Sequence, residues 1–498
     1  MTNHERLWVT IDARALDGAL MGTQILVLEL TRALARTGAL RLRVLIDAER
    51  IDSDTLALLR ELPETEILAV EDVDEDTAAS SVLHRPQQAF AQDDLALAWQ
   101  LGERVVISQL DLIAYHHGDY FPDADAWESY RRASRHGMIA AERVIVLSEH
   151  TRRELIEEGL VGAERIRVIP PGLDHRIGEE PRRPATLGAL AGGEGGSGDA
   201  GGDGERAPEF LLCLGTDYRH KNRVFALRLL AALRERHDWQ GVLVLAGTHV
   251  EHGSSREAEH EELVAHPQLR EAVIELGAVQ EAEKEWLMRH AAAVVYPSEY
   301  EGFGLVPFES ALRGIPCLFA AQSSLAEGAV GQAATIVPWD PVQSAEAAHP
   351  LLTDQAARAR YVRLLADAAR ELTWERTAEA TVETYREAAL AQARDATTLS
   401  RDAVARERQL IADHQEVVQK LIDERELVLS DYDALLAEVG PARGLIGEHG
   451  SLPQDLQRAL LALSAHPALS RPLYGVLAVV FRASRAVARA VRHPLRGS

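Results

Sequence analysis

Short apolar runs recur along this chain. Each closes on a polar or glycine-bearing loop and leads into positions with helical spacing. Leu7–Asp12 reads as a first strand, the stretch Gly18 to Gly22 as a loop, and Thr23 onward as a helix with Ile25, Leu28, Leu30 and Leu34 apolar. Val105 to Asp111 is another strand with an acid near its end, and Ala141 to Ser148 is a strand that ends in serine before a helix. Phe210 to Gly215 runs into a polar turn, after which Val224, Phe225, Leu227, Leu230 and Leu233 give partly helical spacing, with Asn222 as a candidate N-cap. Ala292 to Tyr296 is a buried-strand pattern followed by SEYEGFGLVPFESALRGIP from Ser298 to Pro316. Repetition of strand, loop and helix predicts an α/β chain.

The segment after Tyr296 is the most informative. Glu301 and Glu309 stand with seven residues between them, Gly302 and Gly304 sit in the gap, and Pro307 falls where a helix begins. Glycines let a ligand approach the main chain, and a proline loses nothing at a helix start. The unit aims unpaired amides and the positive end of a helix dipole at one point, which suits an anion. Glu309 in the first turn also favours the dipole, so its bland reading is purely structural. Lys221 stands at the start of the second unit's helix, where a cation is mildly unfavourable unless an anion is bound.

These residues carry a family resemblance. EGFGLVPFE and the following ALRGIPCL resemble the E-x7-E motif of retaining glycosyltransferases of family 4, also described as glycosyl transferases group 1, which have the GT-B fold. The resemblance covers residues 7 to 390. It implies two Rossmann-like domains facing a cleft, with a C-terminal helical extension outside it. It also implies that Glu309 accepts hydrogen bonds from the ribose of a sugar nucleotide, that Glu301 contacts the transferred sugar, and that the backbone of Gly302, Phe303, Gly304, Leu305 and Val306 holds sugar hydroxyls and the diphosphate. The lysine of the family's glycine–lysine turn, Lys221, binds the leaving diphosphate, whose release calls for fixed positive charge. Gly22 is the counterpart of the family's first phosphate loop, and Asp111 is a further catalytic candidate. Two positions depart from the pattern. Thr216 stands where many relatives have arginine, leaving Arg219 or His220 to supply that charge. Leu110 stands where relatives often have histidine.

The resemblance and the composition together divide the chain. Residues 1–178 form an N-terminal acceptor domain, 179–208 a glycine-rich linker, 209–372 a nucleotide-sugar domain and 373–392 a helix that crosses back. The linker reading rests on GGEGGSGDAGGDG at residues 192–204. Residues 393–440 carry Val404, Ile411, Val418, Ile422, Leu429, Tyr432 and Leu436 on a seven-residue seam, which fits a short coiled coil or a helical hairpin. In 441–498, Arg482, Arg485, Arg489, Arg492 and Arg496 share one helical face, and six arginines with no acids occupy 471–498. Such a helix reads as a membrane-surface anchor or as a segment packed on the protein's own acidic surface.

Charge and cysteine content narrow the classes further. A net charge of −24 argues against nucleic-acid binding. Cys213 and Cys317 lie in apolar runs, which fits reduced thiols in a cytosolic setting, and neither has metal-ligand neighbours. The first residues lack a signal-peptide pattern, and the apolar run from Leu473 to Phe481 is shorter than the ~20 residues of a spanning helix.

The reading is therefore a cytoplasmic, retaining hexosyltransferase at or near the inner membrane face. It uses a nucleotide-diphosphate sugar and a glycan or lipid-linked acceptor in surface polysaccharide assembly, with no cofactor or metal and with self-association through 395–436. A catalytically silent scaffold of the same fold is the alternative, motivated by Leu110 and Thr216.

Overall fold

The computed structural model describes residues 6–17, 22–174, 180–189 and 209–391. The seam at 395–436, the basic segment at 471–498 and the glycine run at 192–204 lie outside them.

The strand-like runs form two parallel sheets. In the first, β1 (Leu7–Asp12), β2 (Leu40–Ile46), β3 (Thr65–Ala69), β4 (Val82–Arg85), β5 (Val105–Gln109), β6 (Arg143–Val146) and β7 (Ile166–Val168) take the order β3-β2-β1-β4-β5-β6-β7. In the second, β8 (Phe210–Leu214), β9 (Val242–Ala246), β10 (Val273–Gly277), β11 (Ala293–Tyr296) and β12 (Cys317–Phe319) take the order β10-β9-β8-β11-β12. Most of these strands are buried along their length. Helices cover both faces of a parallel sheet, so continuous apolar runs replace the alternation of a half-solvated strand. In each sheet the chain order reverses beside the first strand, at β1/β4 and at β8/β11. Loops leaving the carboxyl ends of strands at such a point form a crevice.

Both sheets belong to one compact unit. The helix Trp374–Leu390 packs against the first domain. Trp374, Ala378, Val382, Tyr385 and Ala388 enter the first domain's core beside Leu26, Leu30 and Leu34. The Tyr385 hydroxyl lies within that core, 2.7 Å from His84 Nδ1, and Glu387 faces Arg143 at 2.9 Å. Asp174 caps the helix by accepting the Trp374 amide at 2.7 Å. A Cβ on Gly172 would stand 2.3 Å from that same nitrogen, so only glycine admits the crossing chain.

One expected boundary moves. Residues 180–189, assigned to a flexible linker, pack on the second domain: the Arg182 amide bonds Ala282 O at 2.9 Å and Leu187 is buried among Phe210, Leu212 and Met288. An apolar side chain gains more from that core than from solvent.

Candidate functional site at the ends of β8 and β11

β8 delivers the chain to Gly215, whose φ of +123° turns it sharply. A Cβ on Gly247 would lie 2.0 Å from Gly215 O, so the loops after β8 and β9 abut. The turn then closes as a 3₁₀ segment, Arg219–Lys221, and enters the helix Arg223–His237. Asn222 occupies the N-cap position, but at φ 50° and without a side-chain cap bond. It serves by tolerating left-handed backbone, not by capping.

Lys221 points into the molecule. Its Nζ lies 2.6 Å from Glu301 Oε1 and 3.3 Å from the Tyr296 hydroxyl at the end of β11. Burial opposes charge on Glu301, yet the Lys221 ammonium together with hydrogen bonds from Lys221 and Tyr296 holds the carboxyl below its usual range.

The loop from Glu301 to Leu305 is held from behind. Ser323 Oγ accepts the Glu301 amide at 2.8 Å, and Ser324 Oγ donates to the carbonyls of Glu301 and Phe303, each at 2.8 Å. The amides of Gly302, Phe303, Gly304 and Leu305 have no hydrogen-bond partner among the described residues. Gly304 sits at φ +84° with Leu325 closing the space a side chain would need. The helix Val306–Leu312 follows with Pro307 at its second position, one residue later than expected, and Glu309 in its first turn. Glu309 is half-buried, and its carboxylate has no partner among the described residues.

The first domain meets this loop directly. A Cβ on Gly302 would stand 2.2 Å from Leu110 O and 3.1 Å from Asp111 Cβ. Asp111 lies two residues beyond the end of β5, and its Oδ1 accepts the Ile113 amide at 2.9 Å. Burial pushes its pKa up to about 6, and the Glu301 charge adds to the rise. Leu110, in the place of a common family histidine, turns its side chain into the first core.

Asp111, Lys221 and Glu301 are therefore brought together, with Glu309 and the loop amides on the same strand–loop–helix unit. The remaining expected residues make other contacts. Thr216 Oγ1 is 3.0 Å from Thr248 Oγ1. Arg219 does not join Lys221: it reaches Asp119 at 3.1 Å and Ser254 O at 3.3 Å, because its side chain is exposed on the outer edge of the turn. Gly22 is exposed as the first residue of the helix Gly22–Arg36, not a loop residue, with open space around its Cβ position. Sequence reasoning missed Tyr296, Ser323 and Ser324. Tyr296 was visible as the polar end of an apolar strand, whereas the serines carry no local signal.

Comparison with known proteins identifies the fold and the family. The chain spans 77% of its length on a sucrose-phosphate synthase from Thermosynechococcus elongatus, covering 99% of that chain at 19% identity and a TM-score of 0.52. It also covers all of HepE from Anabaena, in a complex with UDP and glucose, over 77% of its own length at 16% identity and a TM-score of 0.53. The fold is that of GT-B glycosyltransferases. Residues 204–364 match the family model described as glycosyl transferases group 1, and residues 21–176 match that of glycosyltransferase family 4. The chain belongs to this glycosyltransferase family. Among curated relatives, a D-inositol 3-phosphate glycosyltransferase from Kineococcus radiotolerans is 31% identical over 266 residues, half of this chain. One from Nocardiopsis dassonvillei is 28% identical over 256 residues. The matches span 58% and 56% of those relatives' lengths.

Proposed function

We propose that the protein moves a hexosyl group from a nucleoside-diphosphate sugar to a hydroxyl of a glycan or lipid-linked acceptor, with retention at the anomeric carbon. The observation that carries this reading is the Lys221–Glu301 pair at 2.6 Å beside a loop of unpartnered amides. In the reaction the bond between the anomeric carbon and the diphosphate oxygen breaks, the acceptor oxygen takes its place, and the acceptor proton is released. Negative charge grows on the departing diphosphate. Lys221 and the amides of Gly302 to Leu305 are fixed donors for that charge, and fixed donors need no reorganisation as it develops. Glu309 takes the ribose hydroxyls. Glu301 faces the sugar while Lys221 keeps it ionised. No cofactor beyond the sugar nucleotide is part of this reading.

Binding of UDP, GDP and ADP by calorimetry tests it. Glu309→Ala is expected to weaken the preferred nucleoside diphosphate roughly 10- to 100-fold, from lost hydrogen bonds to a charged acceptor. Unchanged affinity refutes the ribose assignment. Glu301→Gln is expected to lower turnover more than nucleotide affinity. Absence of any nucleotide binding by the folded protein favours the silent scaffold instead. A role in surface polysaccharide assembly, a membrane contact through 471–498 and self-association through 395–436 remain proposals resting on the sequence pattern. Among the described residues no helix is long and apolar enough to cross a membrane. Sedimentation with anionic liposomes, with and without 471–498, tests the membrane contact.

A further inference from the structure

The residue immediately before each member of the Lys221–Glu301 pair is held by the first domain. Before Glu301, Tyr300 donates its hydroxyl to Glu154 Oε2 on the helix Glu149–Glu157. Glu154 in turn has His150 Nε2 at 3.4 Å, and the His150 ring meets the Tyr300 ring edge-on at 5.2 Å. Before Lys221, the Tyr120 hydroxyl lies 2.8 Å from His220 Nδ1 and accepts the His220 amide at 3.3 Å. Burial, helped by the Lys221 charge, pushes the His220 pKa down to about 4, so at neutral pH its Nδ1 is free to accept. The two contacts converge, because the Glu299 amide bonds His220 O at 2.7 Å. The segments carrying the two residues are thereby joined just ahead of the pair.

We infer that Tyr300 and Tyr120 are positioning residues: they transmit the seating of the first domain to Glu301 and Lys221, so that the pair reaches its working geometry only when both domains are engaged. This rests on the reading of the pair as the sugar-transfer site. Its logic is geometric. Glu301 has a fixed loop behind it through Ser323 and Ser324, but those serines belong to its own domain. Contacts from the acceptor side come through Gly302, packed on Leu110 O, and through Tyr300. A displacement of about 1 Å at a reacting group costs on the order of 100-fold in rate. The groups assigned to the nucleotide, Glu309, the loop amides and Lys221, belong to the second domain, and of these only Lys221 is itself held through a tyrosine, by way of His220 and Tyr120. Loss of either tyrosine hydroxyl therefore separates turnover from nucleotide affinity, which a general loss of folding does not do.

The test uses the full chain with Tyr300→Phe, Tyr120→Phe, Glu154→Gln and the Tyr300→Phe/Glu154→Gln double variant. UDP, GDP and ADP are titrated by calorimetry. Turnover is followed as diphosphate release from whichever of UDP-glucose, GDP-mannose or ADP-glucose the wild type consumes. Amide hydrogen exchange is measured over residues 299–305. The expected result is turnover lowered at least 10-fold in each tyrosine variant, nucleotide affinity within twofold of wild type in Tyr300→Phe and lowered much less than turnover in Tyr120→Phe, where Lys221 is displaced, and faster exchange of the 299–305 segment. The double variant is expected to be no slower than Tyr300→Phe alone, since both changes remove one contact. Turnover within twofold of wild type, or nucleotide affinity falling in step with turnover, overturns the inference. If the wild type binds none of the three nucleotides, the functional reading fails. Hydrogen exchange still decides the positioning claim, and unchanged exchange in both tyrosine variants refutes it.

Discussion

Asp111 is a half-buried carboxylate whose ionisation its surroundings disfavour. Its folded pKa is about 6 against an ordinary 3.8, raised first by burial and then by the Glu301 charge. The difference of roughly two units corresponds to about 3 kcal/mol at 1.36 kcal/mol per unit. The folded value lies above the unfolded one, so ionisation costs stability. That cost is complete above pH 6, shrinks as the pH falls through the folded pKa, and is gone below about 4. Asparagine removes the charge and keeps an oxygen for the Ile113 amide, now accepted at 2.9 Å. The asparagine amide carries its own smaller desolvation cost, so Asp111→Asn is expected to gain about 1–3 kcal/mol at pH 8. For domains of 150–250 residues 1 kcal/mol corresponds to about 2–4 °C, which predicts a rise of several degrees. Thermal unfolding at pH 8, 6 and 4.5 measures it, and the gain should fade toward the lowest pH. Turnover should fall while the fold gains, the signature of a group kept for function. A lower midpoint at pH 8, or an equal gain at pH 4.5, refutes the reasoning.

Other outcomes follow from the same interactions. Lys221→Ala leaves the Glu301 carboxylate buried without its partner and is expected to destabilise by about 3 kcal/mol. The Lys221→Ala/Glu301→Gln double variant should recover most of that loss in thermal unfolding, and no recovery contradicts the pairing. His84 lies between the Tyr385 hydroxyl at 2.7 Å and Ser108 Oγ at 2.9 Å, and burial pushes its pKa down to about 3. Below pH 6.5 the unfolded chain takes up a proton that the folded one refuses, so stability contributed by neutral His84 is lost as the pH falls from 6.5 toward 3. His84→Gln should flatten this acid-side slope, and an unchanged slope removes His84 as its cause.

Much of this was legible because the relevant signals are local. Strand, glycine loop and helix appear within about twenty residues around Glu301, and the seven-residue gap to Glu309 is a spacing on one element pair. The crossing helix was expected over 373–392 from the family resemblance. What escaped depends on partners far apart in the chain. Tyr300 and Glu154 are separated by 146 positions, and Tyr120 and His220 by 100. No periodicity marks such pairs. Arg219 looked available to supply the charge that Thr216 lacks, but a guanidinium on an exposed edge finds the nearest carboxylate, here Asp119. Asn222 looked like a side-chain cap because asparagine serves both roles, and sequence does not separate capping from left-handed backbone. Leu187 sat in a stretch whose glycine-rich continuation masked its burial.

The most direct measurement is a crystal structure of the protein with its preferred nucleoside diphosphate. The expected result places phosphate oxygens within hydrogen-bond distance of the Gly302–Leu305 amides and Lys221 Nζ, with the ribose hydroxyls on Glu309. A ligand seated instead in the recess of about 550 Å³ beside Arg219, His249 and Arg256, with Glu309 still unpartnered, contradicts the account.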